Sequence, residues 1–388
     1  MPVIDSILDT DLYKLSMQKA VVQAYAGVAV TYEFVDRDPS DRFDGGFHAR
    51  LRREVDAMAD LALGRDERAW LEANCPYLGP AYIGYLKGYR FDPSEVETEV
   101  VDGRLRMAIR GPWERAILWE VPLLAIVSEL AFEGSPTPAE AEGFREAQVA
   151  RFREKADALA GVQFADFGTR RRRSRQVQGW CVGAMAGRPG FVGTSNVMMA
   201  MRHGTRPIGT MAHEWIMGVA ALEGLRHANR HALRAWAGVY GGRLGIALTD
   251  TYGTEAFWRD FNPFLARLYD GVRQDSGDPI AFGERAILAY QALGIDPMSR
   301  WLVFSDGLDV GRVLEIADRF RARARVSFGI GTNFTNDVPG SRALNIVIKM
   351  RTCDQIPVVK LSDVPSKAIG DPEALRVARW THFGTPLG

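Results

Sequence analysis

Only three cysteines, Cys75, Cys181 and Cys353, occur in 388 residues, odd in number and far apart. That spacing excludes a disulfide framework and a metal knuckle, and it points to a reducing cytoplasm. Net charge is missing as well: 48 basic residues balance 48 acidic ones. No whole-molecule field therefore draws the chain to nucleic acid or to an anionic membrane, and any basic site must be local. The most lipid-like run, "AILWEVPLLAIVSELAF", carries Glu120 and Glu129 and reads as a core helix, not a membrane span. The start, "MPVIDSILDTDLYKL", has acids where a secretory signal needs positive charge. Low-complexity segments and exact repeats are absent, and no His/Cys/Asp/Glu spacing resembles a tight transition-metal site.

What is present is a chain 47% hydrophobic, long enough for two domains at about 150 residues each. Seven times an apolar, strand-like run ends in Gly, Ser, Thr or Asp: near 164–170, 190–196, 207–215, 245–254, 271–279, 301–309 and 326–337. Most are followed by helix-compatible sequence, the rhythm of βα units, and a succession of such units suggests a parallel sheet closed into a barrel. The flanks mix an amphipathic helix ("DTDLYKLSMQKAVVQAYA"), a strand ("VAVTYEFV"), a hairpin turning at Asp102-Gly103, and later strands "LNIVIKMRT" and "IPVVKLSD". The expected fold is α/β: an irregular TIM-like α/β barrel, residues 113–337, inserted in an α+β domain built from residues 1–112 and 338–388.

Polar residues gathered at the carboxyl ends of barrel strands are where active sites lie. "FSDGLD" (Ser305, Asp306, Gly307) and "GIGTNF" (Gly329, Gly331, Thr332) place glycine beside a hydroxyl or acid, so that backbone N–H groups can face a phosphate. Taken singly, such turns are mostly just turns. "GVRQDSGDP" puts Arg273 and Asp275 around a tight turn, either as a self-paired loop or as an anion grip beside a carboxylate facing positive charge. Asp250 closes "LTD" at the preceding strand end, and His213 stands at a Gly-Thr strand end with Glu214 beside it. A lone histidine near Trp215 is more often packed than catalytic. "DFGTRRRRSRQ" concentrates Arg170, Arg171, Arg172, Arg173 and Arg175 after an apolar run. Cations at a helix N-terminus oppose its dipole unless an anion lies close. The cluster is thus a rim for a small anion, a solvated helix face, or a nucleic-acid patch; neutral overall charge and isolation rank the last low.

In order, "DTDLYKLSMQ", "DFGTRRRRSR", "FVGTSN", "GTMAHEW", "GIALTDT", "RQDSGDP", "VFSDGLD", "SFGIGT", "LNIVIKM" and "VVKLSD" closely resemble nicotinate phosphoribosyltransferases of the bacterial type, over nearly the whole chain from Ile7 to Asp363. The resemblance implies a cytoplasmic homodimer with active sites at the subunit interface. Its partners would be nicotinate, phosphoribosyl pyrophosphate and ATP, with Mg²⁺ as cofactor and no nucleic acid or membrane. The implied reaction forms nicotinate mononucleotide and pyrophosphate, coupled to ATP hydrolysis through a phosphohistidine at His213. Phe167 and Arg170 would be the aromatic platform and carboxylate clamp, with Tyr13 completing the stack from the other subunit. Thr194, Ser195 and Asp250 would also meet substrate, the Ser195 hydroxyl suiting a carboxylate. Arg273 and Asp275 would meet substrate and ribosyl cation, while Ser305, Asp306, Gly307, Gly329, Gly331 and Thr332 would hold ribose and phosphate. Asn333 stands where some relatives have a basic residue. Rival readings are a nicotinamide- or quinolinate-specific transferase and a non-catalytic barrel binding a phosphorylated metabolite.

Overall fold

The computed structural model describes residues 2–38, 42–133 and 143–384. Its strands are β1 (Ala29–Asp36), β2 (Val96–Val101), β3 (Arg104–Pro112), β4 (Gln163–Asp166), β5 (Phe191–Thr194), β6 (Ile246–Leu248), β7 (Gly271–Gln274), β8 (Trp301–Phe304), β9 (Arg325–Ile330), β10 (Ile346–Cys353) and β11 (Ile356–Pro357). They form two sheets. An antiparallel sheet in the order β11-β10-β1-β3-β2 takes strands from both chain ends. Its β2–β3 hairpin turns at Asp102 and Gly103, both at positive φ (50° and 71°), as a two-residue loop between right-twisted strands requires.

The second sheet, β5-β4-β9-β8-β7-β6, is parallel throughout. Parallel strands buried on both faces need near-continuous apolar sequence. "QFAD", "WLVF" and "VSFGI" supply it. Phe304 lies 5.6 Å from Phe328 within the sheet and 6.1 Å from Phe320 on the helix Val310–Phe320, fastening that helix to the strands.

Six of the seven expected strand ends belong to this sheet, and the seventh, 207–215, is not a strand. Pro207 has no N–H to donate, and Gly209 is crowded by helix Leu12–Ala24: a Cβ there would stand 3.1 Å from the Tyr13 nitrogen. The segment nonetheless runs between the two edge strands. Ile208 N–H donates to the Thr194 carbonyl (2.8 Å) at the end of β5, and Thr210 Oγ1 donates to the Ile246 carbonyl (2.9 Å) in β6.

Two further expectations change. Helix Leu12–Ala24 is not simply amphipathic, since from Leu12 to Val21 all but Tyr13 are buried, Lys14 among them. "IPVVKLSD" contributes only a two-residue strand, after which Lys360 makes an isolated bridge to Ile369. The apolar run around Glu120 is the expected core helix, Glu120–Phe132, and among the described residues no helix is long and apolar enough to cross a membrane.

Candidate active site

All the parallel strands end at one edge, and that edge gathers the polar segments. Phe167 follows β4 and donates its N–H to the Ile330 carbonyl of β9 (2.8 Å). Its ring lies against Gly329, where a Cβ would stand 2.3 Å from it. Only glycine leaves room for the ring, so the two residues form one platform. Arg170, 44% exposed, reaches Glu120 Oε1 at 3.4 Å. Glu120 also binds the fully buried Lys14 at 2.6 Å, and Lys14 pairs in turn with Glu214. Burial alone would favour neutral Lys14; Glu120 and Glu214 outweigh it and push its pKa up. Glu214 accepts from Tyr32 (2.5 Å) and Trp113 (2.8 Å), so it faces this network and not the neighbouring His213 ring. Tyr13 of the same chain lies within reach of the Glu120 and Arg170 charges. Burial, then Glu120, raises its pKa well above the usual 10.0, keeping the phenol neutral.

The remaining arginines do not fan around a helix. The chain makes a short turn, Thr169–Arg171, and the next helix begins only at Arg175. Arg172 is wholly buried against Asp9 (2.7 Å) and Glu129 (2.7 Å). Arg173 lies 3.9 Å over the Phe132 ring and donates to Ser341 (2.7 Å), while Arg175 pairs with Asp5 (2.5 Å). Arg171 donates to the Ile346 carbonyl (2.9 Å), and burial followed by the Arg170 charge pushes its pKa down to about 10. One arginine in five points outward beside the platform.

Thr194 and Ser195 are spent internally. Thr194 Oγ1 donates to buried Asp166 (2.7 Å) and Ser195 Oγ to buried Asp11 (2.7 Å). Each hydroxyl proton is thus committed to a buried carboxylate of the chain. Burial raises the Asp11 pKa and pushes that of Asp166 up to about 6.

His213 begins the helix His213–Glu223. Its Nδ1 is 3.0 Å from Thr251 Oγ1, and its Nε2 is 3.1 Å from Asp275 Oδ2 and 2.8 Å from Lys360 Nζ. Burial first, then Lys360, lowers its pKa below 6.5, which favours a neutral ring. Asp250 is fully buried and binds Lys360 (3.1 Å) and Ser276 (2.5 Å). Asp275 has Ser305 Oγ 3.0 Å from its other oxygen. Burial opposes its ionisation, but the His213 contact and the Arg273 charge hold its carboxyl well below the usual range. The Arg273 Nε is buried and makes no hydrogen bond among the described residues.

Further round the edge Asp306 pairs with Lys367 (2.6 Å), and Gly307 turns there at φ 61°. Gly331 and Thr332 open the last turn, where Asn333 accepts from Lys155. A lysine from the helix Phe144–Ala158 thus stands against Asn333. Arg37, Arg171 and Lys349 form a patch of cations close enough to perturb one another, and the Asp275 and Asp306 charges act on Arg37 and Arg171. Burial, then Arg37, Lys360, Arg351 and Arg171, pushes Lys349 down to about 7. Sequence reading missed Arg37, Lys349, Lys360 and Lys367. Lys360 alone left a signal, a lysine inside the apolar run "IPVVKLSD".

The profile of the nicotinate phosphoribosyltransferase (NAPRTase) family matches residues 162–386, and that of its N-terminal domain matches residues 8–128. The chain belongs to this family. It is 44% identical over 385 residues to the nicotinate phosphoribosyltransferase of Chromohalobacter salexigens, covering 97% of each chain. That of Methanosarcina mazei is 44% identical over 397 residues, 97% of this chain and 98% of its own. The crystal structure of the Porphyromonas gingivalis enzyme superposes with a TM-score of 0.93 at 40% identity, covering 98% of this chain and 99% of the other.

Proposed function

We propose that this chain joins nicotinate to the anomeric carbon of phosphoribosyl pyrophosphate, releasing nicotinate mononucleotide and pyrophosphate, with ATP hydrolysis coupled through His213. One observation carries the reading: the Phe167–Gly329 platform with outward Arg170 shares an edge with the His213–Asp275 cluster and a patch of cations. The nicotinate ring would lie on Phe167 beside neutral Tyr13. Arg170 would hold its carboxylate so that the ring nitrogen faces the sugar, turning an encounter into an oriented attack. Loss of pyrophosphate leaves an oxocarbenium-like ribosyl group, and an ionised Asp275 stabilises it electrostatically. Arg37, Arg171 and Lys349 suit the departing diphosphate, and the turns at Ser305–Gly307 and Gly331–Thr332 suit the ribose phosphate.

Among the described residues no group of three or more His, Cys, Asp or Glu could hold a metal ion. Asp250, Asp275 and Asp306 are already engaged by Lys360, His213 and Lys367. These residues do not make a dedicated Mg²⁺ cage. The ion would arrive on the diphosphate oxygens, its common habit.

The six parallel strands and the segment 207–210 are read as an irregular barrel, with the sheet from both chain ends as a second domain. A homodimer and a cytoplasmic setting complete the proposal, the latter resting on three free, buried cysteines. The test is mononucleotide formation from nicotinate and from nicotinamide, with and without ATP, by wild type and His213→Ala. Turnover of nicotinate that ATP stimulates in the wild type and not in the variant supports the reading. Preference for nicotinamide, or equal ATP stimulation of both proteins, overturns it.

A further inference from the structure

The proposed role of His213 leaves open which ring nitrogen receives the phosphoryl group, and a buried lysine decides it. We infer that Lys360 is a positioning residue that fixes the His213 tautomer, presenting the Nε2 lone pair to the phosphoryl donor and then binding the transferred group. This rests on the phosphohistidine reading above and deepens it.

Lys360 Nζ lies 2.8 Å from His213 Nε2. A lysine ammonium has three donors and no acceptor, so a hydrogen bond from it to Nε2 requires the lone pair on that nitrogen. The ring proton then sits on Nδ1 and is donated to Thr251 Oγ1 at 3.0 Å. Asp275 Oδ2, 3.1 Å from Nε2, competes for the opposite arrangement, in which Nε2–H donates to the carboxylate and the lone pair turns to Thr251. That alternative is unproductive, because Thr251 is fully buried whereas the Asp275 side chain is 34% exposed. Nε2 is the nitrogen on the open side.

Lys360 is built to hold this place. It is 6% exposed between buried Val359 and Leu361. Its backbone is pinned to Ile369 by two hydrogen bonds (2.8 and 2.9 Å), and its ammonium is shared with Asp250 Oδ2 at 3.1 Å. The groups facing the ring are therefore Lys360, Asp250, Asp275 and Thr251, and the Arg273 charge acts on Asp275.

In the transfer, the Nε2 lone pair forms the N–P bond while the bond from the terminal phosphorus of ATP to its bridging oxygen breaks. That electron pair leaves with the nucleoside diphosphate. Nδ1 keeps its proton, and the ring's new positive charge is balanced by Asp250 and Asp275. Lys360 transfers no proton; its donor moves from Nε2 to a phosphoryl oxygen.

The test uses the full chain, selectively ¹⁵N-labelled at histidine, as wild type, Lys360→Arg, Lys360→Met and the double variant Lys360→Met/Asp250→Asn, which leaves no buried charge unpaired. Two readouts are taken: the protonated nitrogen of His213 by ¹⁵N NMR, and the rate of acid-labile labelling from γ-labelled ATP. Wild type and Lys360→Arg should carry the proton on Nδ1, and the variants lacking a cation on Nε2. Labelling should fall roughly ten- to hundredfold without the cation, the equivalent of one charge-assisted hydrogen bond, and recover in part with arginine. The proton remaining on Nδ1 in both methionine variants overturns the proposal, as does labelling at the wild-type rate. Should Lys360→Met not fold, the double variant gives the same two readouts. Absence of label from wild type would end the phosphohistidine reading, while the tautomer measurement would still decide the positioning role.

Discussion

The guanidinium of Arg172 grips the carboxylate of Asp9 through two hydrogen bonds, 2.7 and 2.9 Å, with neither side chain exposed. A third bond from its Nε reaches Glu129 at 2.7 Å, so this arginine ties the segment after β4 to the N-terminus and to the core helix Glu120–Phe132. Removing one partner strands a charge in the interior, which costs about 3–5 kcal/mol. Arg172→Ala should lose stability on that scale in denaturant unfolding. Arg172→Met combined with Asp9→Leu and Glu129→Gln should lose much less, because no unpaired charge remains. Equal losses would place the energy in packing and not in the pair.

Arg170 differs from its neighbours in facing outward, anchored among the described residues by Glu120 at 3.4 Å. Its planar fork matches a carboxylate through two parallel bonds, which a lysine cannot reproduce. Arg170→Lys should raise the KM for nicotinate roughly tenfold or more, about the worth of one charge-assisted bond, with little change in that for phosphoribosyl pyrophosphate. Kinetics with each substrate varied in turn check this; a parallel rise in both KM values would show general damage to the site.

Gly329 is needed for space. A Cβ there would meet the Phe167 ring at 2.3 Å, and the ring's backbone is held by the Ile330 carbonyl, so the ring must tilt or rise. A displacement of about 1 Å in a positioning surface can cost about a hundredfold. Gly329→Ala should therefore depress kcat/KM for nicotinate strongly while leaving thermal unfolding near that of wild type. Full activity in the alanine variant would remove Phe167 from the platform.

The repeated strand-then-polar-turn pattern was legible because buried parallel strands are apolar on both faces and their carboxyl ends need small or polar turn residues. The pattern misled at 207–215, where a similar composition, with Pro207 and a crowded Gly209, forms only an isolated bridge to Thr194 and no strand. Roles within the arginine run were not legible. Whether Arg172 is buried or solvated depends on Asp9 and Glu129, 163 and 43 positions away. The same holds for Ser195, whose hydroxyl looked free until Asp11 was placed beside it. Arg37, Lys349 and Lys360 come from the other sheet and the segment after it, and only tertiary packing brings their charges to the edge.

Lys349 contributes a pH dependence of known sign. Burial, then Arg37, Lys360, Arg351 and Arg171, pushes its pKa down to about 7, whereas the unfolded chain keeps a lysine near 10.4. Between those values the unfolded state binds more protons, so this residue's contribution to stability rises as pH climbs from about 7 to about 10, and below 7 its full penalty remains. A diphosphate beside it reverses the imbalance by favouring the charged ammonium. Pyrophosphate binding at pH 8 should therefore draw a proton from solution, and at pH 6 that uptake should shrink because the lysine is already charged. Calorimetric titration with pyrophosphate in two buffers of different ionisation enthalpy measures the number directly. Lys349→Met should abolish the uptake at pH 8 and flatten the rise of stability above neutrality. Undiminished uptake in that variant would transfer the effect to another group on the same edge.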